Sequence, residues 1–143
     1  MIWFLDASAL VKRYVREPGS DVVRDLVRRR RRLAAAAVSL VEVPAALWRR
    51  ARAGDVTAQQ ARRLAAKLAA DLAHVELVEA RGPMLAIAAQ LVESHPLRVY
   101  DAIQLAAALR LWRETGIALT FACSDRGLLA AARAEGVRPL RVG

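Results

Sequence analysis

The chain has 143 residues, which fits one compact domain spanning residues 1–143 and leaves no room for a second core. Its formal net charge is +9, and all its basic residues except Lys12 and Lys67 are arginines, which suits binding to phosphates or to an acidic partner. Cys123 is the only cysteine, which excludes an internal disulfide, and no uninterrupted apolar run reaches the roughly 18 residues of a membrane-spanning helix. The apolar fraction of 56% overstates the large core-formers because much of it is alanine, a composition that favours helix and close packing. With neither a basic leader nor a long apolar stretch at Met1–Asp6, the chain is expected to lack a signal peptide and to be cytoplasmic.

Residues 2–5 form a short apolar run ending at an acid, the pattern of a buried parallel strand. A helix is expected over about 8–16, stopped by Glu17-Pro18-Gly19, and another from 20 or 21 to 29. Residues 33–38 read as a second strand, and Ser39 opens a helix lasting to about 52. Thr57 and Gln60 have capping-box spacing and begin a helix reaching about 73. A third strand is expected at 75–78. Gly82-Pro83 then introduces a helix to about 93, with the proline tolerated in its first turn, and His95-Pro96 breaks it. A further helix spans about 99–113, closed by Thr115-Gly116. Residues 117–123 are a clear strand, 125–134 a short helix, and 137–142 an edge strand carrying Pro139. Strands alternating with helices, without hairpin turns, predict a mainly parallel sheet covered on both faces.

Four of the 14 acids then fall where one end of such a sheet could collect them. Asp6 follows the first strand and Asp125 lies two residues beyond Cys123. Glu42 is in the first turn after the second strand, and Asp101 is near the start of the helix after Pro96. Clustered carboxylates repel one another unless a cation sits between them, so a hard divalent ion, Mg²⁺ or Mn²⁺, is the economical explanation. Each acid also has a purely structural reading. Asp6 could cap the next segment, Ser39 and Glu42 have capping-box spacing, and Asp101 and Asp125 could complement helix dipoles.

The segments Leu5-Asp6-Ala7-Ser8-Ala9-Leu10-Val11-Lys12, Ser39-Leu40-Val41-Glu42-Val43, Leu97-Arg98-Val99-Tyr100-Asp101-Ala102-Ile103-Gln104-Leu105-Ala106 and Phe121-Ala122-Cys123-Ser124-Asp125-Arg126-Gly127-Leu128 resemble the four motifs of PIN-domain ribonucleases. The likeness is greatest to the VapC toxins of bacterial type II toxin–antitoxin pairs, and it spans nearly the whole chain. The resemblance implies a three-layer α/β/α sandwich with a central, mainly parallel sheet. It also implies an endoribonuclease dependent on Mg²⁺ or Mn²⁺, a homodimer, and a cognate VapB-like antitoxin whose C-terminal segment folds on binding. Carried over, Asp6, Glu42, Asp101 and Asp125 are the acidic set that is both catalytic and metal-binding, and Ser8 is a supporting hydroxyl. The chain departs from the pattern at Cys123, where many relatives have Thr or Ser, and at Tyr100 and Pro44.

The chemistry can be narrowed independently of the family. His74 and His95 are the only histidines and both sit at helix ends, which disfavours a His-pair ribonuclease. A Gly-x-Ser-x-Gly elbow and a Gly-rich phosphate loop are both missing. Metal-assisted hydrolysis of an RNA phosphodiester remains, with Asp6 and Asp101 as primary ligands and Glu42 and Asp125 holding waters or a second ion. The alternative is a non-catalytic basic module that binds RNA or protein. An Asp-nucleophile phosphatase would want a second Asp where Ser8 stands. Arg28–Arg32, Arg49, Arg50 and Arg52 could line an RNA path or form a solvated face. Leu10, Val11, Tyr14, Leu47 and Trp48 are candidate walls of an apolar antitoxin groove, or else core.

Overall fold

The strands are β1 (Ile2–Leu5), β2 (Leu33–Ala36), β3 (Glu76–Val78), β4 (Leu119–Cys123) and β5 (Arg138–Arg141). They form one five-stranded sheet in the order β3-β2-β1-β4-β5, with every pairing parallel. The helices are α1 (Ala7–Leu10), α2 (Ser20–Arg28), α3 (Ser39–Arg52), α4 (Ala58–Leu72), α5 (Gly82–Ser94), α6 (Val99–Thr115) and α7 (Arg126–Ala134). This computed structural model describes residues 1–29 and 31–143; Arg30, inside the arginine run, lies outside the described residues.

Strand alternation divides the core in two. Ile2, Phe4, Ala34, Ala36, Leu119, Phe121 and Cys123 face α5, α6 and α7, whereas Leu5, Ala35 and Ala122 face α1 to α4. Both faces are thus buried, as the near-continuous apolar strands require. Phe4 and Phe121 stack on adjacent strands with ring centroids 5.6 Å apart. Helix α6 buries Ala102 and Ala106 to Ala108, whose small side chains let it lie close under the sheet. The expected α/β/α sandwich is therefore the fold. Helices α1 to α4 cover one face because β1, β2 and β3 step one way across the sheet; α5 to α7 cover the other because β4 and β5 step the opposite way.

One segment departs from expectation. The helix expected over 8–16 is only α1, followed by a 3₁₀ turn at Val11–Arg13. The cause is Lys12, which is buried and curls the chain around its ammonium group. Lys12 Nζ donates to Glu17 Oε1 and to the carbonyl of Pro18, both at 2.8 Å, and a continued helix would carry those partners away. Gly19 completes the turn at φ +93°, and a Cβ there would meet the Gly143 nitrogen at 2.6 Å, so only glycine fits.

Candidate active site

The strand order places a topological switch between β1 and β4: the chain leaves β1 towards β2 and leaves β4 towards β5. A crevice opens at the carboxyl ends of two such strands, and ligands of open α/β sheets bind there. Asp6 follows β1 directly, and Ser124 and Asp125 follow β4. The two strand ends are tied together across the crevice. The Asp6 N–H donates to the Ala122 carbonyl at 3.1 Å, and the Ser124 N–H donates to Ser8 Oγ at 3.0 Å.

Asp6 is 4% exposed and caps α1, accepting the Ala9 N–H at 2.9 Å. The Ser8 hydroxyl donates to the same oxygen, Oδ1, at 2.6 Å, and among the described residues no hydrogen bond reaches Oδ2. The capping reading of Asp6 is thus correct and still leaves one carboxylate oxygen uncommitted. Burial pushes the Asp6 carboxyl up to about 7, outweighing the two hydrogen bonds that favour its ionised form; the charges of Asp101 and Glu42 raise it further.

Glu42 does not form the capping box that its spacing with Ser39 allowed. Val38 is the N-cap of α3 and makes no side-chain cap bond. Both side chains turn instead to Gln104 of α6, whose Nε2 donates to Glu42 Oε1 at 2.9 Å and to Ser39 Oγ at 3.1 Å. Burial holds the Glu42 carboxyl above its ordinary range; the Gln104 bond and Arg49 oppose this, and Asp101 adds to it. Asp101, in the first turn of α6, is likewise raised, first by burial and then by Asp125, against Arg98. Asp125 caps α7 by accepting the Leu128 N–H at 2.8 Å and is exposed.

All four acids therefore lie at one end of the sheet, with Asp101 and Glu42 acting on Asp6, Asp101 on Glu42, and Asp125 on Asp101. Among the described residues, no three acidic, imidazole or thiol side chains stand close enough to share one ion in this arrangement. The ion pairs of the described residues engage Glu17, Asp71, Asp21, Asp25, Glu76, Glu79, Glu135 and Glu114, and none engages Asp6, Glu42, Asp101 or Asp125. In a chain of net charge +9, each of these four carboxylates is thus without a direct cationic partner among the described residues. The set offers hard oxygen donors, together with the uncommitted Asp6 Oδ2, and such donors fit Mg²⁺ or Mn²⁺.

Cys123 lies beside this set but, among the described residues, makes no hydrogen bond to any of the four acidic side chains. It is buried in the layer of α5 to α7, its thiol is raised by burial first and by Asp6 next, and its Sγ contacts the Asp125 carbonyl at 3.5 Å. The hydroxyl that bridges the loops is that of Ser8. Gln104 was not singled out from the sequence. Its signal was available: it is the one polar residue between Ala102 and Leu109, a single turn after Asp101, and it is 2% exposed. Its Oε1 is buried without a hydrogen-bond partner.

The sequence model of the PIN domain matches residues 3–134, and the chain belongs to the PIN-domain family. It is similar to Ribonuclease VapC46 of Mycobacterium tuberculosis, with 36% identity over 118 residues covering 82% of each chain. Among solved structures it resembles PAE2754 from Pyrobaculum aerophilum, at 25% identity and a TM-score of 0.64 over 97% of this chain and 83% of that one. VapBC from Salmonella typhimurium, in a DNA-bound crystal structure, shares the fold at 13% identity and a TM-score of 0.68, over 100% of this chain and 99% of that one.

Proposed function

We propose that the protein is an endoribonuclease dependent on Mg²⁺ or Mn²⁺ and the toxin of a cytoplasmic toxin–antitoxin pair. The observation that carries this reading is the set of four carboxylates beside the β1/β4 crevice, none of which has a direct cationic partner among the described residues. The 36% identity to Ribonuclease VapC46 supports RNA as the substrate. Asp6 and Asp101 would hold the ion, with Glu42 and Asp125 holding its waters or a second ion. The bound cation would lower the pKa of a water and neutralise charge on the phosphate. Ser8 fixes the Asp6 carboxylate through Oδ1, leaving Oδ2 for the ligand, and Gln104 fixes Glu42. Glu42, held above its ordinary range, is suited to accept the proton of an attacking water. The test is cleavage of single-stranded RNA with Mn²⁺, with EDTA, and by Asp6→Asn. Equal cleavage in all three would refute the reading.

An antitoxin resembling VapB is the proposed partner, supported by the VapBC complexes among the structural neighbours. A cavity of about 510 Å³ beside α1 and α4 is lined by apolar Leu10, Tyr14, Val23, Val27, Leu72 and Val75 and by charged Arg13, Arg31, Arg32, Asp71 and Glu76, and suits an amphipathic docking segment. Of the walls expected from sequence, Leu10 and Tyr14 line this cavity. All four of Leu10, Val11, Tyr14 and Leu47 are buried in the core, and Trp48 is half-buried with Arg62 over its ring at 5.8 Å. A basic side chain from the antitoxin would relieve the carboxylate repulsion and block the site. In this reading the toxin is a homodimer.

A further inference from the structure

A cleft of about 550 Å³ lies between α7 and the edge strand β5, and Arg126, Arg133 and Arg141 line it around a floor that includes Leu129 and Pro139. Its position ties it to the carboxylates. Arg126 follows Asp125 directly, and Arg141 is in register with Cys123, the last residue of β4. Arg133 lies seven residues along α7 from Arg126, roughly 10 Å at the helical rise. The three charges thus form a strip that begins at the carboxylate end of the sheet and runs away from it along the outer edge.

Many of the other arginines are neutralised internally. Arg28 and Arg29 pair with Asp25, Arg32 with Glu76, Arg50 with Glu17 and Arg110 with Glu114. Among the described residues, Arg126, Arg133 and Arg141 take part in no ion pair, all three are exposed, and no acid lines their cleft. An occupant must therefore bring several negative charges. A peptide adding itself to the open edge of β5 fits poorly. Val142 turns its N–H to the Cys123 carbonyl at 3.0 Å, so strand alternation turns position 139 outward, where proline has no N–H to offer. Guanidinium forks match phosphate oxygens, and the apolar floor matches the face of a base or ribose.

We propose that this cleft holds the phosphate backbone of the RNA strand next to the scissile bond, with Arg126, Arg133 and Arg141 as its phosphate contacts. The proposal rests on the nuclease reading above. It also moves the RNA path away from Arg28, Arg29, Arg32 and Arg50, which pair with acids, to the arginines of α7 and β5.

The test compares R126Q/R133Q/R141Q with a control of equal charge change, R63Q/K67Q/R113Q, whose basic residues are exposed, outside the cleft and outside the ion pairs of the described residues. Binding of a single-stranded RNA oligonucleotide is followed by fluorescence anisotropy in EDTA across a salt series, with circular dichroism checking the fold. Neutralising one arginine that binds a phosphate should reduce the slope of log affinity against log salt by about 0.7, so the cleft variant should lose about 2 and the control much less. With Mn²⁺, the cleft variant should raise KM at least tenfold with kcat nearly unchanged. A wild-type slope in the folded cleft variant overturns the assignment while RNA cleavage by the unmutated chain keeps the nuclease reading. If that variant keeps its RNA affinity but loses binding to polyglutamate, the cleft belongs to an acidic protein segment. If the unmutated chain neither binds nor cuts RNA, both readings fall.

Discussion

Replacing Asp6 with Asn should abolish metal-dependent cleavage and at the same time stabilise the metal-free protein. The carboxyl is pushed from its ordinary value near 3.8 up to about 7 by burial, with Asp101 and Glu42 adding to the effect. A carboxyl raised on folding binds its proton more tightly in the folded state. Its contribution to stability is therefore complete below about pH 4 and is lost as the pH rises through about 7. At 1.36 kcal/mol per pH unit, the ionised Asp6 costs at most about 4 kcal/mol above that range. Asn keeps an oxygen to accept the Ala9 N–H and the Ser8 hydroxyl but never acquires the charge. Metal-free Asp6→Asn should therefore melt up to roughly 10 °C above the unmutated chain at about pH 8, and within about 2 °C of it near pH 4. Excess Mn²⁺ should close the gap at the higher pH by stabilising only the unmutated chain. The assay is thermal unfolding followed by circular dichroism on EDTA-stripped protein across the pH range. A variant that melts at or below the unmutated chain at about pH 8 refutes the claim that Asp6 is an uncompensated buried charge.

Removing the Gln104 amide in Gln104→Leu should weaken Mn²⁺ binding about tenfold by calorimetry, the loss expected when a bond to a charged group worth about 1.5 kcal/mol disappears. In a Glu42→Ala background the same substitution should leave Mn²⁺ affinity unchanged, because Gln104 acts through Glu42. Ser8→Ala deletes the hydroxyl that donates to Asp6 and accepts from Ser124 N–H, and should cost about 1–2 kcal/mol in urea unfolding at neutral pH. Because the deleted bond favours ionised Asp6, the acid limb of the Ser8→Ala cleavage profile should also move to higher pH. Neutralising Arg28, Arg29 and Arg32 together should leave the salt dependence of RNA binding within about 0.7 of its original slope, since Asp25 and Glu76 already occupy these side chains. Tyr14→Arg in the cavity beside α1 should abolish copurification with the antitoxin while sparing RNA cleavage; retained copurification would remove that cavity as the docking site.

The sequence by itself carried the strand–helix alternation, because apolar runs and stop signals such as Glu17-Pro18-Gly19 and Gly82-Pro83 are local properties. It also carried the placement of Asp6 and Asp125 just past strand ends, since an acid following a buried apolar run is visible without coordinates. Only the tertiary structure decided which strands meet. The order β3-β2-β1-β4-β5 makes β1 and β4 neighbours across 119 residues of sequence, from Asp6 to Asp125, and so creates the crevice between them. It decided likewise against the Ser39–Glu42 capping box. That box satisfies every local rule and loses to Gln104, which reaches Glu42 from 62 residues away. Helix α1 was cut short by a nearer competition, with the buried Lys12 ammonium holding Glu17 five residues on, and only the link from Glu17 to Arg50 of α3 reaches further. The pairing of arginines with acids is a property of surfaces brought together by the fold. For that reason Arg28, Arg29 and Arg32 of the conspicuous run meet Asp25 and Glu76, while scattered Arg126, Arg133 and Arg141 came to share one cleft.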